Sequence, residues 1–283
     1  ISSIMSGVMI KTAIYGIIRF VMFILGVNSS WWGILVLILA VISCLAGVIY
    51  ALMEHDIKRL LAYHSMENIG IILLGIGLAM FFTSVNLPYL AIFSFIAGLY
   101  HLINHAVFKG LLFLCAGSVY KATGTRDIEK LGGLIKKMPQ TAIYFLIGAM
   151  AISALPPLNG FVSEWLTLQA FFLGAFHVAG GAKLFLGICA AMLALTSGLA
   201  AACFVKVFGI TFLAQPRSHY AQNVEEVAFP MRAAMFFLAL ITVIFGLAAA
   251  LIIKLLAKVS GSVLGVDISN MSFSLNNLTI VPQ

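Results

Sequence analysis

The stretch HLINHAVFKG, His101 to Gly110, places three titratable side chains, His101, His105 and Lys109, at i, i+4 and i+8. A helix turns about 100° per residue, so each step of four drifts about 40° and the three form one stripe. The stripe lies in an apolar run from about Leu87 to Val119 in which Lys109 is the only formally charged residue. Ionisable groups at bilayer depth are costly, and a row of them reads by default as a functional site. The chemistry that suits these residue types is proton transfer, since imidazole and amine can each take up and release a proton. Asn104 adds a polar neighbour that could orient water. A lysine snorkelling to an interface beside two packed histidines fits poorly with Lys109 about ten residues inside the run. The histidine spacing could hold a metal, but no third ligand of the right type stands beside it, so no metal site is expected.

A second candidate lies where Leu155-Pro156-Pro157-Leu158-Asn159-Gly160 interrupts the apolar stretch Thr141 to Val178. Proline lacks an N–H and clashes with the preceding turn. The helix is therefore expected to stop near Ala154, loop through Leu158, Asn159 and Gly160, and restart. Unpaired backbone at that depth survives only where it is buried in protein or lines a wet cavity. A simple proline kink would suffice were it not for Glu164, the only acidic residue between Lys137 and Lys183. It falls in the first turn or two of the second half-helix, where burial and the helix dipole act on a carboxylate in opposite senses. Opposed influences of that kind suit a group that exchanges protons.

Lys11 sits in the first apolar run with Arg19 two turns on. Lys11 reads equally as a structural ion-pair partner or as an in-line proton carrier; Arg19 does not deprotonate and is a fixed charge. The segment DIKRLLAYH, Asp56 to His64, reads as a solvated loop with helix-end charges.

These residues belong to a polytopic membrane protein. Of 283 residues 63% are hydrophobic and 9% charged, against about 25% charged in soluble domains. Spans are expected at 3–27, Trp31–Met53, Ile69–Phe82, Leu87–Val119, the two halves of Thr141–Val178, Leu184–Leu213 and Ala233–Leu256. The Leu87 run exceeds a hydrocarbon core of about 30 Å, so it is tilted or bent. No segment reads as a strand, and the tail after Lys258 shows no clear structure. The fold class is an all-α transmembrane helix bundle.

The net charge of +7 is no sign of nucleic acid, because basic residues in a membrane protein mark its cytoplasmic loops. If each run crosses once, Lys58, Arg59, Lys121, Arg126, Lys130, Lys136, Lys137, Arg217 and Arg232 share one side, which the positive-inside rule makes cytoplasmic. Lys183 and Lys258 lie on the other, with the tail. Lys183, Lys206 and Lys254 fall near span ends, where snorkelling is expected. Cys44, Cys115, Cys189 and Cys203 are scattered singly and read as small buried hydrophobes. With no C-x-x-C-H, no GxGxxG followed by an acidic residue and no P-loop, neither a redox cofactor nor ATP hydrolysis is expected within the chain. Its first residues read as the interior of a helix, without an initiator Met or a leader pattern, so a fragment with upstream helices is expected.

Three motifs in register, DIKRLLAYHSMENIG (Asp56–Gly70), HLINHAVFKGLLFL (His101–Leu114) and SALPPLNGFVSEW (Ser153–Trp165), resemble the antiporter-like proton-translocating subunits of respiratory complex I and membrane-bound hydrogenases. The resemblance implies two inverted five-helix repeats, each with a broken helix. It assigns 1–27 to the last helix of a first repeat, 28–213 to the second repeat with its break at 155–160, and 214–283 to a loop, a last helix and a tail. It makes Lys11 the connecting carrier, Lys109 the central carrier with His101 and His105 as relays, and Glu164 the terminal carrier. Asp56 becomes a helix-end charge partner, and Pro156, Pro157, Asn159 and Gly160 form the break.

The implied function is proton translocation in a redox-driven complex of a bacterial or archaeal cytoplasmic membrane. The implied partners are other membrane subunits, a peripheral hydrogenase or dehydrogenase arm, and lipid. The family's Glu–Lys pair of the first repeat is absent here, so transport by this chain alone is not expected. Two other functions share the motifs: a multisubunit sodium–proton antiporter subunit, and a scaffold anchoring a peripheral arm.

Overall fold

The computed structural model describes residues 1–266 together with the backbone of a strand pair at 271–274 and 279–282. Helix α1, Ser2–Leu25, alternates α-helical with wider π-helical turns at Met5–Met9 and Ile18–Leu25. It is followed by α2 (Ser30–Met53), α3 (Ile57–Ser84) and α4 (Pro88–Thr123). Next come two half-helices, α5 (Pro139–Ile152) and α6 (Asn159–His177), then α7 (Gly180–Phe212), α8 (Phe229–Leu247) and α9 (Ala249–Leu264). Six of them, α1 to α4, α7 and α8, are long and apolar enough to cross a membrane. Their outer faces expose Phe23, Leu39, Val205 and Phe237, as an apolar solvent requires. Helices α3 and α4 are the most buried and form the middle of the bundle, α3 lying between α2 and α4. All four cysteines are free and buried.

Helix α3 begins twelve residues earlier than the sequence reading, at Ile57 and not at Ile69. The reason is local. Asp56 caps the helix, its Oδ1 accepting from Lys58 N at 2.8 Å and Arg59 N at 3.1 Å, and Ile57, Leu60 and Leu61 follow on one buried face. The segment read as a solvated loop is therefore a helix with a buried face, Ile57, Leu60, Leu61 and His64, and an exposed one at Arg59 and Ala62. Such a cap contributes about 1 kcal/mol. Asp56→Ala should lower the melting midpoint accordingly, measured by a thiol-reactive dye reaching the four buried cysteines on heating; an unchanged midpoint would deny the cap its role.

The charged end of the bundle is knitted by backbone. Ile57 N donates to Arg126 O, and Ile128 N to His55 O, both at 3.0 Å, while Gly133 N donates to Leu213 O at 2.7 Å. Glu226 caps α5 from a distant loop, accepting from Gln140 N at 3.0 Å and from Thr141 Oγ1 at 2.6 Å. Residues 54–59, 121–141 and 213–232 thus gather at one end, as the parity argument requires. Lys206 does not snorkel: its ammonium donates to Leu52 O at 2.8 Å and Glu54 O at 3.3 Å, closing the C-terminus of α2.

The last span also differs from expectation. The chain bends at Ala248 (φ −97°, ψ 23°), so α8 and α9 are separate helices. Helix α9 runs on through Lys258 to Leu264 because Ile253, Leu256 and Ala257 give it a buried face, and Gly265 in a left-handed conformation ends it. In the tail, Met271–Ser274 pairs antiparallel with Thr279–Pro282, where no strand was expected; the Met-Ser-Phe-Ser alternation has the period of two that a strand needs.

Candidate functional site

The double proline breaks the helix as its missing donors demand. Helix α5 ends at Ile152, Ala154 turns left-handed (φ 50°), and the Pro156–Pro157 peptide is cis. Asn159 and Gly160, expected in the loop, are already the first residues of α6. Two asparagines hold that restart in place. Asn104 Nδ2 on α4 donates to Asn159 O at 2.9 Å, and Asn159 Nδ2 donates back to Asn104 Oδ1 at 3.3 Å. Asn104 therefore pins the discontinuity.

Glu164, in the second turn of α6, is buried and accepts from Ser197 Oγ of α7 at 2.5 Å. The same hydroxyl also lies 3.0 Å from Leu193 O. A serine has one proton to give, so it donates to an ionised Glu164 and can turn to Leu193 O when Glu164 is protonated. The contact accommodates both charge states.

His101, His105 and Lys109 are all buried on α4, but they are not bonded to one another. His101 Nε2 lies 3.2 Å from Asn68 Oδ1 and its Nδ1 lies 2.9 Å from Ser163 Oγ on α6. Asn68 Nδ2 donates to His64 O at 2.8 Å, which leaves Oδ1 as the acceptor and makes His101 Nε2 the donor. His105 Nδ1 sits 2.6 Å from Lys11 Nζ, which also donates to Ser6 O at 2.7 Å. The lysine thus reaches back five residues along its own helix, into the π-turn Met5–Met9. Ser6 Oγ in turn meets Ser65 Oγ of α3 at 2.5 Å. Lys109 Nζ is buried with no hydrogen-bond partner among the described residues, within electrostatic range of Glu67, Lys11 and Cys203. Asp56 stands apart from these groups, at the charged end.

One group escaped the sequence reading. His64 and Glu67 on α3 are fully buried and hydrogen-bonded through His64 Nδ1 and Glu67 Oε2. Their signal was present in the spacing: Leu60, His64, Glu67 and Ile71 follow one another at four, three and four, one helical face. The resulting site is a buried polar band that draws on α1, α3, α4, α6 and α7. No cluster of three or more His, Cys, Asp or Glu side chains that could hold a metal occurs among the described residues.

Residues 1–193 match the family model described as NADH:quinone oxidoreductase/Mrp antiporter, TM. The chain belongs to this family. Among its relatives, Hydrogenase-4 component B of Escherichia coli (strain K12) is 49% identical over 251 residues, covering 88% of this chain and 37% of the relative. Formate hydrogenlyase subunit 3 of the same organism is 46% identical over 257 residues, covering 90% of this chain and 42% of the relative. A subunit of the membrane-bound sulfane sulfur reductase, an archaeal respiratory membrane complex, superposes with a TM-score of 0.79 at 26% identity over 97% of this chain and 42% of that one. The chain therefore has the antiporter-like fold, is integral to the membrane, and spans roughly two fifths of the curated relatives it matches. Those relatives are subunits of larger assemblies.

Proposed function

We propose that this chain is the distal part of a proton-translocating membrane subunit in a redox-driven complex of the hydrogenase or NADH:quinone oxidoreductase kind. In this reading residues 1–27 end one repeat, 28–213 form the next, and 214–283 add a loop, the last helix and the tail. Lys11 receives protons and passes them by way of His105 to Lys109, and Glu164 is the terminal carrier. His101 links Asn68 to Ser163 beside it. The charged end faces the cytoplasm, a peripheral redox arm supplies the driving reaction from other subunits, and lipid covers the exposed apolar faces.

The observation that carries the reading is the Lys11–His105 contact at 2.6 Å. It joins an amine and an imidazole from two helices inside an apolar bundle, an arrangement too costly for packing alone. In sealed vesicles holding the whole complex, Lys109→Ala and Glu164→Gln should each lower the protons moved per electron several-fold with assembly intact. A parental ratio in both variants would sink the carrier assignment. Because the family also covers Mrp antiporters, sodium–proton exchange is the second reading. A sodium pulse that shifts vesicle pH without any redox substrate would select it.

A further inference from the structure

The path above leaves one buried titratable couple unused, His64 and Glu67 on α3. Both are fully buried. With its Nδ1–H donated to the Glu67 carboxylate, a neutral His64 carries a lone pair at Nε2, and that atom has no partner among the described residues. Lys109 Nζ, which can only donate, is orphaned in the same way. The two orphans are chemically complementary, and Lys109 lies within electrostatic range of both His64 and Glu67.

The neighbours leave few other roles for Glu67. Cys44 of α2 donates to its backbone oxygen at 3.4 Å, and Phe204 of α7 packs on the His64 ring at 4.7 Å between centroids. Among the described residues, Cys44, Glu164 and Cys203 are the other titratable groups within electrostatic range of Glu67. Lys109 is thus, among the described residues, the basic side chain that acts on both members of the couple. A buried charge without a counter-charge is far costlier than a matched pair.

We propose that His64 and Glu67 form a further proton-binding couple that exchanges protons with Lys109, an inference that rests on reading Lys109 as a carrier. Lys109 Nζ and His64 Nε2 share no direct hydrogen bond, so the proton that Lys109 gives up reaches His64 Nε2 across the gap between them, and the proton on His64 Nδ1 moves to Glu67 Oε2. An ammonium, a neutral imidazole and a carboxylate become an amine, the other neutral imidazole tautomer and a carboxylic acid. Net charge is zero before and after, so Lys109 can discharge inside the bundle without leaving a bare charge behind.

Glu67→Gln tests this directly, because glutamine keeps the volume and an oxygen for His64 but cannot take the proton. In vesicles of the whole complex, Glu67→Gln and His64→Gln should each lower protons per electron several-fold, while Glu67→Asp retains most of the parental ratio. A parental ratio in Glu67→Gln beside a reduced one in Lys109→Ala overturns the couple and leaves the carrier reading standing. Parental ratios in all of them overturn both. If Glu67→Gln fails to assemble, the double variant Glu67→Gln/Lys109→Gln, which removes both charges, should assemble again; its failure would make Glu67 a packing residue and overturn the proposal.

Discussion

A Gly160→Ala chain is expected to yield almost no assembled complex. Gly160 opens α6 against the last turn of α5, and a Cβ there would overlap the Ala151 carbonyl oxygen. The obstacle is backbone, so no side chain can rotate away, and the half-helices would have to separate. Overpacking of this kind costs about 3 kcal/mol or more, enough to displace the restart that carries Ser163 and Glu164. Gly187→Ala and Gly198→Ala on α7 are the controls. Nothing lies within 4 Å of a Cβ at either position, so the better helix propensity of alanine should leave stability equal or raised by up to about 1 kcal/mol. Detergent-extracted yield and melting midpoint measure all three. A Gly160→Ala midpoint equal to the parent would mean that the two half-helices do not meet as described.

The second large effect belongs to Asn159→Leu. The reciprocal amides of Asn104 and Asn159 tie α4 to the discontinuity at the point where two prolines have removed backbone donors. Leucine leaves Asn104 Oδ1 buried without a donor, a loss of about 1–3 kcal/mol, and adds the strain of fitting a branched side chain. Asn104→Leu/Asn159→Leu removes both amides and should cost less than the sum of the single changes, with a coupling above about 1 kcal/mol. Additive losses in the melting cycle would show that the two amides do not depend on each other.

Much of this site could be read from sequence because membrane helices announce themselves by composition. The α4 stripe stood out as charge within an apolar run, and the break followed from Pro156 and Pro157 having no N–H. Glu164 stood out for the same reason as Lys109. The His64–Glu67 couple was hidden by its neighbours: Glu54, His55, Asp56, Lys58 and Arg59 make the whole segment look wet, although the capped helix turns His64 and Glu67 to a buried face. The partners of the stripe were not legible either. Each step of four residues carries a side chain about 6 Å along the helix axis, so neighbours on one face can meet different helices. His101 meets α3 and α6, His105 meets α1, and only the packed bundle decides which.

The bend in the last helix has a mechanical consequence. Gly246, one turn before α9, seats its bare Cα on the break, where a Cβ would overlap Pro157 O. The Tyr100 hydroxyl of α4 holds the adjacent Phe245 carbonyl at 2.5 Å. Beyond the bend, Val263 and Leu264 of α9 pack against the cluster that contains Ile14 and Met22 of α1. Helices α8 and α9 therefore act as a bent lever with its fulcrum at Tyr100. One arm bears on the loop that positions Glu164, the other on the helix that carries Lys11. Any displacement of the break large enough to move Glu164 must load that lever, so the places of Glu164 and Lys11 in the bundle are tied through packed helix.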